Sequence, residues 1–154
     1  MRLDALRTAG EGVPSGPRLV LRTDGASRGN PGPAAAGVVI ESEDGALLAT
    51  GKKYLGTLTN NQAEYRALIL GLKAVSARAP SSVAVLMDSE LIVKQMNGQY
   101  RVKDAQLQPL YEEARTLAAA LPRVTFQHVR RGFNARADAL ANEALDAEET
   151  RSNG

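Results

Sequence analysis

The sequence predicts one α/β domain, a mixed β-sheet with helices packed on its faces. Two observations carry this expectation. The first part of the chain alternates apolar runs with turn signals, and from Asn60 onward helical spacing is interleaved with short strands. With 154 residues, 44% of them hydrophobic, the chain is long enough for one filled core and too short for two domains of ordinary size.

The elements follow in order. "RLVLRT" reads as a strand, and "AAAGVVIES" and "ALLATGKKYLG" read as two more joined by the hairpin signal "EDG", giving a three-strand meander. From Asn60 to Ala79, residues Ala63, Ala67, Leu68, Gly71, Leu72 and Val75 keep helical spacing until Pro80 and two serines stop the run. "SVAVLM" is a short continuous apolar run of the kind a buried central strand carries. "SELIVKQMNG" reads as a helix closed by Asn97-Gly98, "LQPLYEEARTLAAAL" as another, "VTFQHV" as a strand, and Asn134 to about Ala147 as a last helix. A Gly/Pro/Ser-rich lead over 1–17 and a polar tail over 148–154 leave the domain at 18–147.

Composition narrows the function classes. Lys and Arg number 19 against 17 Asp and Glu, a net charge of +2, so any grip on a polyanion must come from local clustering. Arg123, Arg130, Arg131 and Arg136 form one such cluster, in a stretch without an acid. The absence of cysteine excludes disulfides, thiolate zinc sites and thiol nucleophiles, and fits a reducing cytoplasm. No segment approaches the length of a membrane helix, so a soluble intracellular protein is expected.

Four carboxylates fall in similar places. Asp24 ends the first strand and Asp88 ends "SVAVLM", while Glu64 and Asp138 lie in the first turns of helices. Counting on from Glu64 reaches Leu68 and Gly71, and from Asp138 reaches Ala141 and Leu145, so both acids begin faces that continue as core. Each alone has a structural explanation in the helix dipole or a cap. That explanation serves poorly for several acids along the sheet side of their elements, because unpaired carboxylates near a core repel one another and lose hydration. A divalent cation relieves both penalties, and oxygen donors without Cys or clustered His suit Mg²⁺ or Mn²⁺ rather than zinc. Two such ions about 4 Å apart would activate a water and stabilise a leaving oxygen in phosphodiester cleavage. Spacing alone does not bring the four acids together.

Four stretches, "TDGASRGNPGPAAAG", "TNNQAEYRAL", "MDSELIVKQMNG" and "HVRRGFNARADALANEAL", resemble in the same order the motifs of the type 1 ribonuclease H family, which cuts the RNA strand of RNA–DNA hybrids. The likeness spans about residues 20–146. It implies the ribonuclease H-like fold, a five-stranded mixed sheet made of a three-strand antiparallel meander and two parallel strands flanked by helices. It also implies that Asp24, Glu64, Asp88 and Asp138 are the catalytic and metal-binding residues, with two Mg²⁺ or Mn²⁺ ions as cofactor. Substrate contacts carry over to Asn30 and to Asn60 and Asn61 after Thr59, where short amides both donate and accept toward the 2′-hydroxyls of the hybrid. Locally, Asn before Pro favours a turn and "TNN" before a helix is a cap cluster, and both roles are expected together. Gly25 leaves room for backbone and substrate where a Cβ would intrude, and Arg130 or Arg131 supplies positive charge.

Departures from the family pattern shape the expectation further. Many members carry a longer, His-containing loop before the last Asp; here the connection is short, and the only histidine, His128, falls in a predicted strand, where a structural role is expected. The stretch from Gly98 to Leu107 leaves no room for a basic handle, so Arg101 and Lys103 are what remains of its charge. Asp104 stands near a position where an Asn often holds a DNA phosphate, and Glu90 stands where a Gln is common. Hybrid binding weaker than in handle-bearing relatives and strongly salt-dependent is expected.

The resemblance therefore implies an endoribonuclease leaving 5′-phosphate and 3′-hydroxyl ends, monomeric by default, with RNA–DNA hybrid as partner and double-stranded RNA as a second candidate. The alternatives are a non-cleaving hybrid- or double-stranded-RNA-binding module on the same fold, and another metal nuclease of the superfamily.

Overall fold

The computed structural model describes residues 15–153. Three antiparallel strands, β1 (Arg18–Ser27), β2 (Gly32–Ser42) and β3 (Leu47–Leu58), are followed by α1 (Asn60–Ser76) and by β4 (Ser82–Met87), parallel to β1. Then come α2 (Glu90–Met96), α3 (Gln108–Ala119), β5 (Val124–His128) parallel to β4, a 3₁₀ turn (Arg131–Asn134) and α4 (Ala135–Asn153). The sheet order is β3-β2-β1-β4-β5, the expected meander with two parallel strands beside it. Residues 1–14, most of the expected lead, lie outside the described residues.

Strand alternation divides the packing. Leu19, Leu21, Val83, Val85 and Met87 meet Leu68, Leu72, Val75 and Ile92 in the main core, and α1, α2 and α3 build that layer. The α1 residues expected on the apolar face, Ala63, Ala67, Leu68, Gly71, Leu72 and Val75, are all buried. On the opposite face α4 packs on β1, β2 and β3, with Ala35 against Ala144 and Leu145. A β-carbon on Gly37 would lie 2.0 Å from the Ala137 carbonyl oxygen, so only glycine lets α4 rest directly on β2. Gly37 pairs across the ladder with Asp24, and that close docking carries Asp138, the neighbour of Ala137, toward the Asp24 carboxylate.

Three details differ from the sequence reading. β1 does not end at Asp24 but continues through Gly25, Ala26 and Ser27, which pair along the ladder with Ala36, Ala35 and Ala34. β4 is central in the sheet yet buried on one face only, since Ala84 and Leu86 lie on the side that α4 leaves partly open. α4 runs past Ala147 to Asn153, because residues 135–153 contain neither Gly nor Pro and the Arg28 guanidinium grips its outer turns. Arg28 donates to Asn142 at 3.2 Å, to Asp146 at 2.7 Å and to Glu149 at 2.6 Å.

The docking of α4 gives a direct stability test. Gly37→Ala is expected to cost about 1–3 kcal/mol in urea unfolding, as overpacking against backbone does, while Gly51→Ala, whose β-carbon meets nothing within 4 Å, stays within about 0.5 kcal/mol of the parent.

Candidate active site

The acids converge where one ladder stops and the other goes on. Parallel pairing of β1 with β4 ends at Arg22 and Leu86, whereas antiparallel pairing with β2 continues to Ser27 and Ala34. Asp24 therefore sits beside an unpaired edge, and Asp88, one residue beyond β4, comes to the same place. Ser89 caps α2 by accepting from the Ile92 N–H, so Asp88 is not the cap.

Glu64 arrives from α1. Thr59 caps that helix and forms a capping box with Gln62, fixing where its first turn begins. The turn then presses on β1: a β-carbon on Gly25 would lie 2.2 Å from the Ala63 carbonyl group. In that close approach the Gly25 N–H donates to Glu64 Oε1 at 3.2 Å. Gly25 was expected to leave room for backbone and substrate; the backbone that comes near is that of α1, and glycine here lets helix and strand touch.

One carboxylate oxygen from each of Asp24, Glu64 and Asp88 lies within 4.8 Å of the others. Asp24 and Glu64 are each 5% exposed. Asp138 stands outside this triad, close enough to share a hydrogen bond with Asp24, and 4.0 Å from Arg131. All four line one cleft of about 410 Å³. An apolar hollow of about 250 Å³ between β3 and the second half of α1, walled by Val38, Ile40 and Leu70, contains none of them.

Electrostatics make this cluster costly when it holds protein alone. Burial foremost, and then the charges of Glu64 and Asp88, push Asp24 up to about 9, and the hydrogen bond with Asp138 adds to the rise. Burial likewise pushes Glu64 up to about 8, although the Gly25 N–H and the Arg131 charge favour its ionised form. Among the described residues no Lys or Arg forms an ion pair with Asp24, Glu64 or Asp88. A donor set of carboxylate oxygens with no matching protein cation, and no thiolate or imidazole, fits a hard divalent ion.

A residue that sequence reasoning did not single out braces the cluster. Asn134 is fully buried, and its Nδ2 donates at 2.9 Å to the carbonyl of Thr23, the residue before Asp24. It lies in the quoted "NARAD" segment, four residues before Asp138, and a polar residue just ahead of an apolar helical face was the available signal.

The expected substrate residues lie alongside. Asn30 Oδ1 accepts from the Asn60 N–H at 3.0 Å, joining the β1–β2 turn to the start of α1; the Asn30–Pro31 peptide is cis. Asn30, Thr59, Asn60 and Asn61 share a second cleft of about 400 Å³ with Asp104 and Gln106, and Asn60 belongs to both clefts. Arg131 lines the acid cleft, while Arg130 is exposed at the start of the 3₁₀ turn. His128 is exposed on β5.

Comparison with known proteins places this architecture. Residues 22–144 match the family model described as "Reverse transcriptase-like". The chain is 46% identical over 131 residues to "Ribonuclease HI" of Halobacterium salinarum, a match covering 85% of this chain and 66% of that protein. The chain belongs to the type 1 ribonuclease H family. It is also 46% identical over 131 residues to "Bifunctional protein Rv2228c" of Mycobacterium tuberculosis, covering 84% of this chain and 36% of that longer relative. Among solved structures, "LC11-RNase H1 in complex with RNA/DNA hybrid" superposes with a TM-score of 0.81 at 43% identity, over 84% of this chain and 98% of that one. The short connection before Asp138 and the missing handle make this member a compact form.

The raised pKa values give a signed pH test. Folding lifts Asp24 from 3.8 to about 9 and Glu64 from 4.5 to about 8, so the ion-free native state holds more protons than the unfolded chain across that window. Stability contributed by the protonated pair is present in full below about pH 4 and is lost as pH rises toward 9. Urea unfolding in chelator is expected to show this decline, flattened by Asp24→Asn and offset by Mg²⁺. A pH-independent difference between parent and variant would contradict it.

Proposed function

We propose that the chain is a ribonuclease H, an endonuclease that hydrolyses the RNA strand of RNA–DNA hybrids to 5′-phosphate and 3′-hydroxyl ends. The observation that carries this reading is the meeting of Asp24, Glu64 and Asp88, with Asp138 beside them, in one cleft at the edge of the sheet. Family membership and the likeness to a ribonuclease H1 solved with hybrid support it. A non-cleaving binding module has no use for three carboxylates held together at such electrostatic cost.

Asp24, Glu64, Asp88 and Asp138 would hold two Mg²⁺ or Mn²⁺ ions. When bound, the ions supply a water of lowered pKa and neutralise the departing 3′-oxygen, and their charge returns Asp24 and Glu64 to the carboxylate form. The Gly25 N–H orients Glu64, and Asn134 braces the strand at Thr23. Asn30, with its Oδ1 engaged by Asn60, keeps Nδ2 as a donor toward the 2′-oxygens that distinguish RNA from DNA. Arg131 brings positive charge to the same cleft. It cannot serve as a proton shuttle at neutral pH.

Asp104, whose carboxylate accepts from the Gln106 N–H at 2.7 Å, lines the same cleft as Asn30, Asn60 and Asn61, and its charge would repel a hybrid phosphate there.

A labelled hybrid incubated with protein and Mg²⁺ or Mn²⁺, beside single-stranded RNA, double-stranded RNA and DNA, tests the activity. Cleavage of the RNA strand in the hybrid is expected, and Asp88→Asn should reduce it by about a hundredfold or more, since metal stabilisation of transition-state charge is worth several kcal/mol. A variant that cut as well as the parent would refute the assignment. Asp104→Asn is expected to tighten hybrid binding a few-fold at low salt, with the gain fading as salt rises; unchanged affinity at both salt concentrations would remove Asp104 from the binding surface.

A further inference from the structure

The 3₁₀ turn carries a side chain used by neither the core nor the acid cleft. Phe133 is 69% exposed, the most exposed large hydrophobic among the described residues. One exposed apolar residue is ordinary on a protein surface, so exposure alone assigns nothing. Three further features set Phe133 apart.

Its backbone is fixed. The Phe133 N–H donates to the Arg130 carbonyl at 2.9 Å, and its own carbonyl accepts from the Arg22 guanidinium, which is held in turn by Glu41 at 3.1 Å. The next residue, Asn134, is buried and bonded to β1. The ring thus leaves the surface from a rigid base. Its sequence neighbours are cationic: Arg130, Arg131 and Arg136 are all exposed, and no acid occurs in the sequence between Arg123 and Asp138. It stands on the same 3₁₀ turn as Arg131, two residues away, and Arg131 lines the reactive cleft 4.0 Å from Asp138.

We propose that Phe133, flanked by Arg130 and Arg131, is a stacking platform for an unpaired nucleotide, so that the preferred substrates are hybrids that open into single strand beside the cleft. The inference rests on the ribonuclease H reading of that cleft. The arginines select a polyanion over an uncharged apolar partner. Within a duplex each base face is covered by its neighbours, and only an unpaired base offers a face to a protein ring. A ring on a pinned turn loses little freedom when it stacks, and arginines on the same turn would add ionic contacts to the phosphates of a bound strand.

Binding in Ca²⁺, which occupies oxygen-ligand sites in place of Mg²⁺, separates recognition from cleavage. Fluorescence anisotropy would compare a short flush-ended hybrid with the same hybrid carrying a single-stranded RNA or DNA extension, using the parent, Phe133→Ala, Phe133→Leu and Phe133→Trp. The parent is expected to favour at least one extended hybrid by about fivefold or more, the usual scale of one base–aromatic stack. Phe133→Ala and Phe133→Leu should bring that ratio close to one, and Phe133→Trp should keep it. A parent ratio of one, a ratio unchanged in Phe133→Ala, or a ratio retained by Phe133→Leu would each overturn the platform. Hydrolysis of the flush hybrid by the parent in Mg²⁺, measured in parallel, reports on the ribonuclease reading separately, because its failure leaves the binding ratio readable.

Discussion

The contact on which the cleft depends is the direct approach of α1 to β1 at Gly25. With no side chain between them, the helix start presses its backbone on the strand and the Gly25 N–H meets Glu64 Oε1 at 3.2 Å. That places a carboxylate 5% exposed beside Asp24, equally buried, where electrostatics oppose both charges. The protein gains no stability from the arrangement by itself. Its folding energy comes from the apolar layer between the sheet and α1, and the acids are carried into place by that packing.

The second helix approaches from the other face by the same device. Gly37 lets α4 lie against β2, and because Gly37 pairs with Asp24, the helix delivers Asp138 to the far side of the same carboxylate. Two glycines on neighbouring strands, facing opposite sides of the sheet, thus bracket Asp24 between a helix above and a helix below. Arg28 fastens the outer turns of α4 to the β1–β2 turn, and Asn134 fastens its approach to β1. These ties fix the walls of the cleft, as carboxylates would need if they are to share an ion with fixed geometry.

Much of this was legible in the sequence, for identifiable reasons. The hairpin signal at Asp44-Gly45, the helical spacing after Asn60 and the stop at Pro80 mark local chemistry, and the observed elements follow them. The core-directed faces that begin at Glu64 and Asp138 follow from counting turns. What could not be read is whatever depends on strand order. Asp24 looked like a strand end because small residues follow it, yet those residues suit the close β1–β2 ladder; the real boundary is the earlier end of β4, a fact about a different segment. Gly25 was expected to let backbone come near, but no sequence pattern shows that the backbone is that of α1. The last turns of α4 looked like a solvated tail, since the Arg28 fork that holds them comes from more than a hundred residues away.

The buried carboxylates are proposed to form one site for divalent ions. Diffraction from crystals soaked in Mn²⁺, recorded near the manganese absorption edge, tests this most directly. Anomalous peaks coordinated by oxygens of Asp24, Glu64 and Asp88 are predicted, and their loss in Glu64→Gln. Soaks that leave this cleft without a peak, at an Mn²⁺ concentration that supports hydrolysis in solution, would contradict it.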